Sequence, residues 1–276
     1  MVNLQKKLLK FLEKMIYLFN NGPGRFGNHI YNLFYLTALS KKYKHRSWIS
    51  KSNYLLKYFE VKKSIFTSNE SIFKLYKVIN QNTLNIPLKK EYNYVLTPPI
   101  LGNNLFDYFN EEIGFSIRDK FFSKRLEKQR YNVAIHFRGT DFTTWDSNAI
   151  LDTKYYIDCV KDVLNKNVKC LFILYTDDTS LKSYKEVNQF LKKNKIEFIH
   201  GNFNDPFIYD FAEISECNSI ISSPSTFCIW ASFLGVKNKI IYHSKSWIDY
   251  RTKNNDLFWI NLIQKGKSIY GQLIIK

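Results

Sequence analysis

Tyr131-Asn132-Val133-Ala134-Ile135-His136-Phe137-Arg138-Gly139-Thr140-Asp141 passes from an apolar run into a polar loop within a few residues. Val133-Ala134-Ile135 reads as the end of a buried strand. His136, Arg138 and Asp141, gathered around Gly139, are poor material for a core and good material for the rim of a ligand site. In open α/β sheets the loops leaving the carboxyl ends of strands line the binding crevice. Arginine there suits an anionic ligand, because its fork grips phosphate oxygens with two parallel bonds. A helix cap with a surface ion pair is the plainer reading of the same residues. On this stretch alone both stay open.

Downstream, strand patterns at 131–136, 170–175, 196–199, 218–222 and 238–242 alternate with helical ones at 153–166, 179–194, 206–216 and 225–235. That alternation implies parallel βαβ units. Upstream, Met15 to Phe19 reads as a short buried strand that enters the turn-rich loop Asn20 to Asn28. From His29 to Lys42 the pattern is helical, with Ile30, Leu33, Phe34, Thr37 and Ala38 on one side. Residues 43–128 mix short strand-like runs with lysine-rich segments, Pro98-Pro99 marks a break, and Glu111 to Arg130 reads as a charged connecting helix. The expected architecture is α/β, with two Rossmann-like domains at 1–128 and 129–276.

The 276 residues, 45% hydrophobic, suit a folded protein with a substantial core. A net charge of +17 favours nucleic acid, anionic lipid or a phosphorylated small molecule as partner. The lysines are scattered, unlike the tight stripe of a nucleic-acid groove, and no nucleic-acid partner is expected. Cys159, Cys170, Cys217 and Cys228 form no C-x-x-C pair and read as reduced, buried thiols of a cytoplasmic protein. No secretory signal and no apolar run of about 20 residues is present. In residues 1–14, Leu4, Leu8 and Leu12 recur at helical spacing between lysines. The stretch reads either as a helix packed on its domain or as a peripheral contact with an anionic membrane.

Several loops carry candidate chemistry. Gly22, Gly24 and Gly27 have G-x-G-x-x-G spacing, and Arg25 and Asn28 add donors, although a tight turn without ligand explains the glycines as well. Asp177-Asp178 reads as the N-cap region of the next helix, with a metal or ribose contact as the alternative. Ser222-Ser223-Pro224-Ser225-Thr226 offers hydroxyls at a helix start, as a phosphate cradle or a plain cap. Gly266-Lys267-Ser268 lacks the first glycine of a P-loop, and no D-x-D triplet exists. If the strands share one sheet, the loops at 136–146, 176–178 and 222–226 gather on one edge. That edge suits a nucleoside diphosphate.

His136-Phe137-Arg138-Gly139-Thr140-Asp141 resembles the H-x-R-x-x-D motif of the GDP-fucose-dependent fucosyltransferase superfamily. Three further segments resemble the bacterial α-1,2-fucosyltransferases, glycosyltransferase family 11: Gly24-Arg25-Phe26-Gly27-Asn28-His29, Tyr155-Tyr156, and Ser225-Thr226-Phe227 with Trp230 and Leu234-Gly235. Gly139 stands where the family usually has a second arginine, His29 where it has glutamine, Pro224 where it has asparagine, and Ile229 where it has tryptophan. The resemblance implies a GT-B architecture with two domains facing a cleft, an inverting reaction and no metal or other cofactor. GDP-fucose would be the donor and a galactoside-containing surface glycan the acceptor. It places Arg138 at the β-phosphate, His136 and Asp210 near the guanine, Ser225 and Thr226 near the diphosphate, and Arg25 to Asn28 towards the acceptor. Asp146 and Asp141 are the candidates for the base that a hydroxyl acceptor needs, Asp141 reading rather as a brace for the loop. Two other functions compete: a same-fold transferase of another GDP-deoxysugar, and a non-catalytic protein binding nucleic acid or acidic glycan.

Overall fold

The computed structural model describes residues 14–18, 25–62, 65–68, 77–79, 87–89, 92–97, 113–122, 125, 126, 129–166, 169–202, 207–235, 239–256, 258–262, 264 and 271–276. The segment 1–13, Gly22 and Gly24, Pro98-Pro99 and Gly266-Lys267-Ser268 lie outside them. The chain forms two compact units, Met1–Arg118 and Asp119–Lys276.

The first unit carries an all-parallel sheet. Its strands are β1 (Met15–Leu18), β2 (Arg46–Ser50), β4 (Ile65–Ser68), β5 (Lys77–Ile79) and β6 (Tyr94–Leu96), in the order β4-β2-β1-β6-β5. After β1 comes helix α1 (Phe26–Tyr43), which begins three residues before the expected His29. It buries Ile30, Leu33 and Phe34, and also Tyr31, Tyr35 and Leu36, so it is covered nearly all round. Lys41 and Lys42 complement the negative end of its dipole, and Lys44 ends it in the left-handed region at φ 56°.

Among the described residues of 111–130 the expected helix is absent. Phe115–Ile117 is strand β7, antiparallel to β3 (Phe59–Val61), and Asp119–Phe121 is a single 3-10 turn. Phe115 and Ile117 are buried while Ser116 is exposed, and this period of two outweighs the helical look of the surrounding charges. The units divide between Arg118 and Asp119, ahead of the 128/129 division expected from the sequence. Arg125 explains why: it pairs through Nε and Nη2 with the buried Glu213 and donates through Nη1 to His200 O and Asn202 Oδ1, which ties its segment to the second unit.

The second unit is a six-stranded, all-parallel sheet: β8 (Tyr131–Phe137), β9 (Cys170–Thr176), β10 (Phe198–His200), β11 (Ser219–Ile221), β12 (Ile240–His243) and β13 (Gln272–Ile275). The order is β10-β9-β8-β11-β12-β13. Its helices are α2 (Phe142–Trp145), α3 (Thr153–Lys166), α4 (Lys182–Lys193), α5 (Phe207–Glu216), α6 (Thr226–Leu234) and α7 (Lys245–Lys253). The central strands β8 and β9 are buried along nearly their whole length, as strands covered on both faces must be. From β8 the chain winds outward through β9 and β10, then returns to β11 and winds the other way. The switch point therefore lies between β8 and β11, the place where such sheets bind ligands. Gly235 permits the contact of α5 with α6, since a Cβ there would stand 1.7 Å from Ser215 O. All four cysteines are buried and reduced, and burial pushes the Cys217 and Cys228 thiols up to about 12. Among the described residues no helix is long and apolar enough to cross a membrane.

Candidate active site

The loop leaving β8 folds around Arg138, whose side chain is only 13% exposed. Its Nη2 donates to Asp141 Oδ1 at 2.8 Å, and its Nη1 lies 2.5 Å from Asp177 Oδ2. The guanidinium carbon sits 5.3 Å from the centre of the Phe142 ring. Its Nε–H is buried without a hydrogen-bond partner in the protein, and such a donor costs free energy until a ligand or water meets it. The arginine is thus oriented from two sides before any ligand arrives, which removes part of its entropy cost on binding.

Asp177 does more than pair with Arg138. Its Oδ1 accepts from Gly139 N at 2.8 Å and its Oδ2 from Thr140 Oγ1 at 2.7 Å. Neither Asp177 nor Asp178 caps α4, whose N-cap is Leu181 without a side-chain cap bond; Asp178 accepts from Ser180 N and Oγ and closes the turn just before the helix. These bonds hold the Asp178 carboxyl below its usual range. Gly139 packs directly on that turn: a Cβ would come within 2.7 Å of Asp178 Cβ and 3.0 Å of Leu181 Cδ1. An arginine at 139 has no room in this arrangement.

Across the switch point, β11 runs into the serine turn. Ser225 caps α6 by accepting from Phe227 N at 3.3 Å, so the plain-cap reading holds for its side chain. Thr226 opens the helix, half-buried. His136 shares a 2.7 Å hydrogen bond between Nδ1 and Ser223 Oγ, and its ring stacks on Phe227 at 5.7 Å. Burial lowers its pKa to about 4 against the opposing charge of Asp177, so the ring is neutral at pH 7. From α3, Tyr155 reaches under the turn and donates its hydroxyl to the carbonyls of Ser222 and Tyr242, each at 2.9 Å. Asp152 in turn caps α3 through Tyr155 N.

The remaining predicted residues lie further out. Asp210, in the first turn of α5, accepts from Asn202 N at 3.0 Å. Its helix joins the site through Phe211, which packs edge-on against Phe227 at 5.0 Å. Asp146 ends α2 and caps the 3-10 turn Ser147–Ala149 through Asn148 N, while its Oδ2 lies 3.8 Å from Arg251 Nη1. In the first unit, Arg25 is exposed at the head of α1 with no side-chain cap bond. Asn28 is half-buried there, and His29 Nδ1 hydrogen-bonds Tyr54 Oη. The structure therefore gathers His136, Arg138, Asp141, Ser225 and Thr226 at one switch point. It adds three residues that the sequence reading named only as parts of a motif or cap, Asp177, Ser223 and Phe227. The first carried a signal as an acid at a strand end, and the others a place in the serine motif. Among the described residues no group of three or more His, Cys, Asp or Glu side chains could hold a metal ion.

Comparison with known proteins bears on the fold and the family. No curated protein matches the sequence. The fucosyltransferase NodZ from Bradyrhizobium is similar in structure, with 12% identity, TM-score 0.52, and 81% of this chain and 94% of that one covered. POFUT1 solved in complex with GDP-fucose is similar at 10% identity and TM-score 0.54, over 82% of this chain and 96% of that one. These likenesses establish a GT-B fold of two α/β units. The family model for glycosyl transferase family 11 matches residues 28–264, which takes in α1 from Asn28 onward, the Arg138 loop and the serine turn. The chain belongs to glycosyl transferase family 11.

Proposed function

We propose that the protein transfers L-fucose from GDP-fucose to a hydroxyl of a glycan acceptor with inversion, the acceptor being the 2-hydroxyl of a galactoside on a surface glycan. The observation that carries this reading is Arg138, fixed by two carboxylates at the switch point of the second sheet. Family membership, the POFUT1 structure in complex with GDP-fucose and the NodZ structure soaked with GDP-fucose support it. In this reading the unit that holds Arg138 binds the donor and the unit that holds Arg25 and Asn28 serves the acceptor.

The chemistry follows from the charges. As the bond from the fucose anomeric carbon to the β-phosphate oxygen breaks, negative charge grows on the departing GDP. Arg138 and the N–H groups at the start of α6, beside Ser225 and Thr226, take up that charge without a metal. Neutral His136 holds Ser223 and with it the turn, and Asp210 serves the base end of the nucleotide. The acceptor oxygen bonds to the anomeric carbon and gives its proton to Asp146, whose Oδ1 is fixed by Asn148. Asp141 braces Arg138. General-base assistance contributes typically about 10²–10⁴-fold, so Asp146→Asn is expected to cut turnover by at least about a hundredfold while GDP still binds. Full turnover in that variant removes Asp146 from the role.

Linkage is a separate matter, because NodZ of the same fold is an α-1,6-fucosyltransferase; the α-1,2 product is carried by the family resemblance. Incubation with GDP-sugars and galactosides, followed by product mass and linkage determination with and without EDTA, tests donor, acceptor and metal independence together. Thermal stabilisation by GDP and not by UDP supports the nucleotide assignment. Equal stabilisation by both overturns it.

A further inference from the structure

Trp145 exposes 56% of its surface, whereas Trp230, Trp247 and Trp259 are buried. It ends α2, in the same loop that carries Arg138. Exposure does not leave it loose. Its ring centre is 5.1 Å from that of Phe142 and 6.1 Å from that of Trp247, and the Arg251 guanidinium sits 5.8 Å from it. Arg251 is itself fixed, by Asp256 through Nε and Nη2 and by the Trp247 ring at 5.1 Å. Such a ring, held by its neighbours and open on its remaining surface, is what an amphipathic ligand with one flat apolar side requires.

A pyranose has that shape. One side presents C–H groups that lie against an indole, and its edge presents hydroxyls. Arg251 and Asp146, which lie 3.8 Å apart, stand beside Trp145 as donor and acceptor for that edge. Position selects which sugar. Phe142 touches the Arg138 guanidinium on one side and the Trp145 ring on the other. Trp145 therefore stands one aromatic ring beyond the phosphate clamp, which leaves the donor sugar the space over Phe142. We propose that Trp145, flanked by Arg251 and Asp146, is the platform on which the acceptor sugar stacks. The proposal rests on the glycosyl-transfer reading above and adds the side chain that selects the acceptor.

Trp48 is half-buried and Trp230, Trp247 and Trp259 are buried, so the part of the emission that Trp145→Phe removes reports on contact at Trp145. Lactose, as a galactoside probe, is expected to shift the fluorescence of the wild-type protein to the blue, and Trp145→Phe to abolish the shift. In assays with GDP-fucose, Trp145→Ala is expected to raise the KM for lactose at least tenfold while the KM for GDP-fucose stays within twofold. Trp145→Phe, which keeps a flat ring, recovers most of the loss. An unchanged lactose KM in Trp145→Ala overturns the proposal. So does a fluorescence response to GDP-fucose, absent with GDP, in place of one to lactose, since the ring then serves the donor. Thermal stabilisation by GDP in the same samples separates the two readings. Stabilisation without a lactose response sinks only the platform, whereas no stabilisation and no transfer sink the fucosyltransferase reading itself.

Discussion

The two units share a plan, an all-parallel sheet with loops at its carboxyl edge, but they hold their polar residues in different ways. In the second unit each polar group at the switch point is bonded to another. Arg138 is held by Asp141 and Asp177, Asp177 also by Gly139 and Thr140, and His136 by Ser223. In the first unit Arg25 stands exposed at the head of α1 and makes no side-chain cap bond, and nearby His29 Nδ1 hydrogen-bonds Tyr54 Oη. Dense mutual bonding suits a ligand of fixed shape and charge, because it removes the entropy of assembling the site. On the reading proposed above, that ligand is the nucleotide, and the exposed head of α1 serves the more variable glycan acceptor.

The comparison breaks most readily at Arg138. Losing one donor that stabilises a developing anion typically costs about 2.7–4 kcal/mol of barrier, so Arg138→Ala is expected to lower turnover about a hundredfold or more. Near-wild-type rates would mean that the dense network is architecture alone. Next comes Gly139→Ala. Its Cβ meets the Asp178 turn, and overpacking of this kind costs about 1–3 kcal/mol, or roughly 2–4 °C in Tm per kcal/mol for a unit of this size. An unchanged melting temperature would show that the Asp178 turn yields.

A third test uses pH. Burial holds His136 and His243 at about 4, below the ordinary histidine value near 6.5. Between those values the unfolded chain binds protons that the folded chain refuses. Stability is therefore full above about pH 6.5 and falls as the pH drops towards 4. Thermal melts from pH 7 to 4 should show the decline, and His136→Gln should make it shallower, His243 keeping its own share. A variant that declines as steeply as the wild type removes His136 from the account. The smallest effect is expected in the first unit. Arg25→Ala should raise the acceptor KM by less than about tenfold, within the 1.4 kcal/mol that a tenfold change represents, and leave GDP binding untouched. A loss of GDP binding there would erase the contrast between the units.

The same contrast governs what the sequence revealed. In the second unit helix and strand patterns alternate without interruption, so every helix and strand expected from 131 to 242 is present. In the first unit the strands are three to five residues long, too short to set up a period, and β7 hid among the charges of 111–130. The site was legible where a residue type announces its chemistry, as at Arg138 and the serine turn. Asp177 was not, because an acid after a strand looks like a cap until the fold places it opposite Gly139. Nor was Trp145, whose exposure is a property of packing alone.

Asp177 has one further consequence. Its carboxylate rests on a guanidinium, a backbone N–H and a hydroxyl, the same set of donors that a phosphate would use. A tethered carboxylate thus balances the guanidinium charge inside the loop. On the donor-site reading proposed above, a single weak anion cannot match that internal partner, whereas a ligand with two linked phosphates brings charge enough to share the arginine with it.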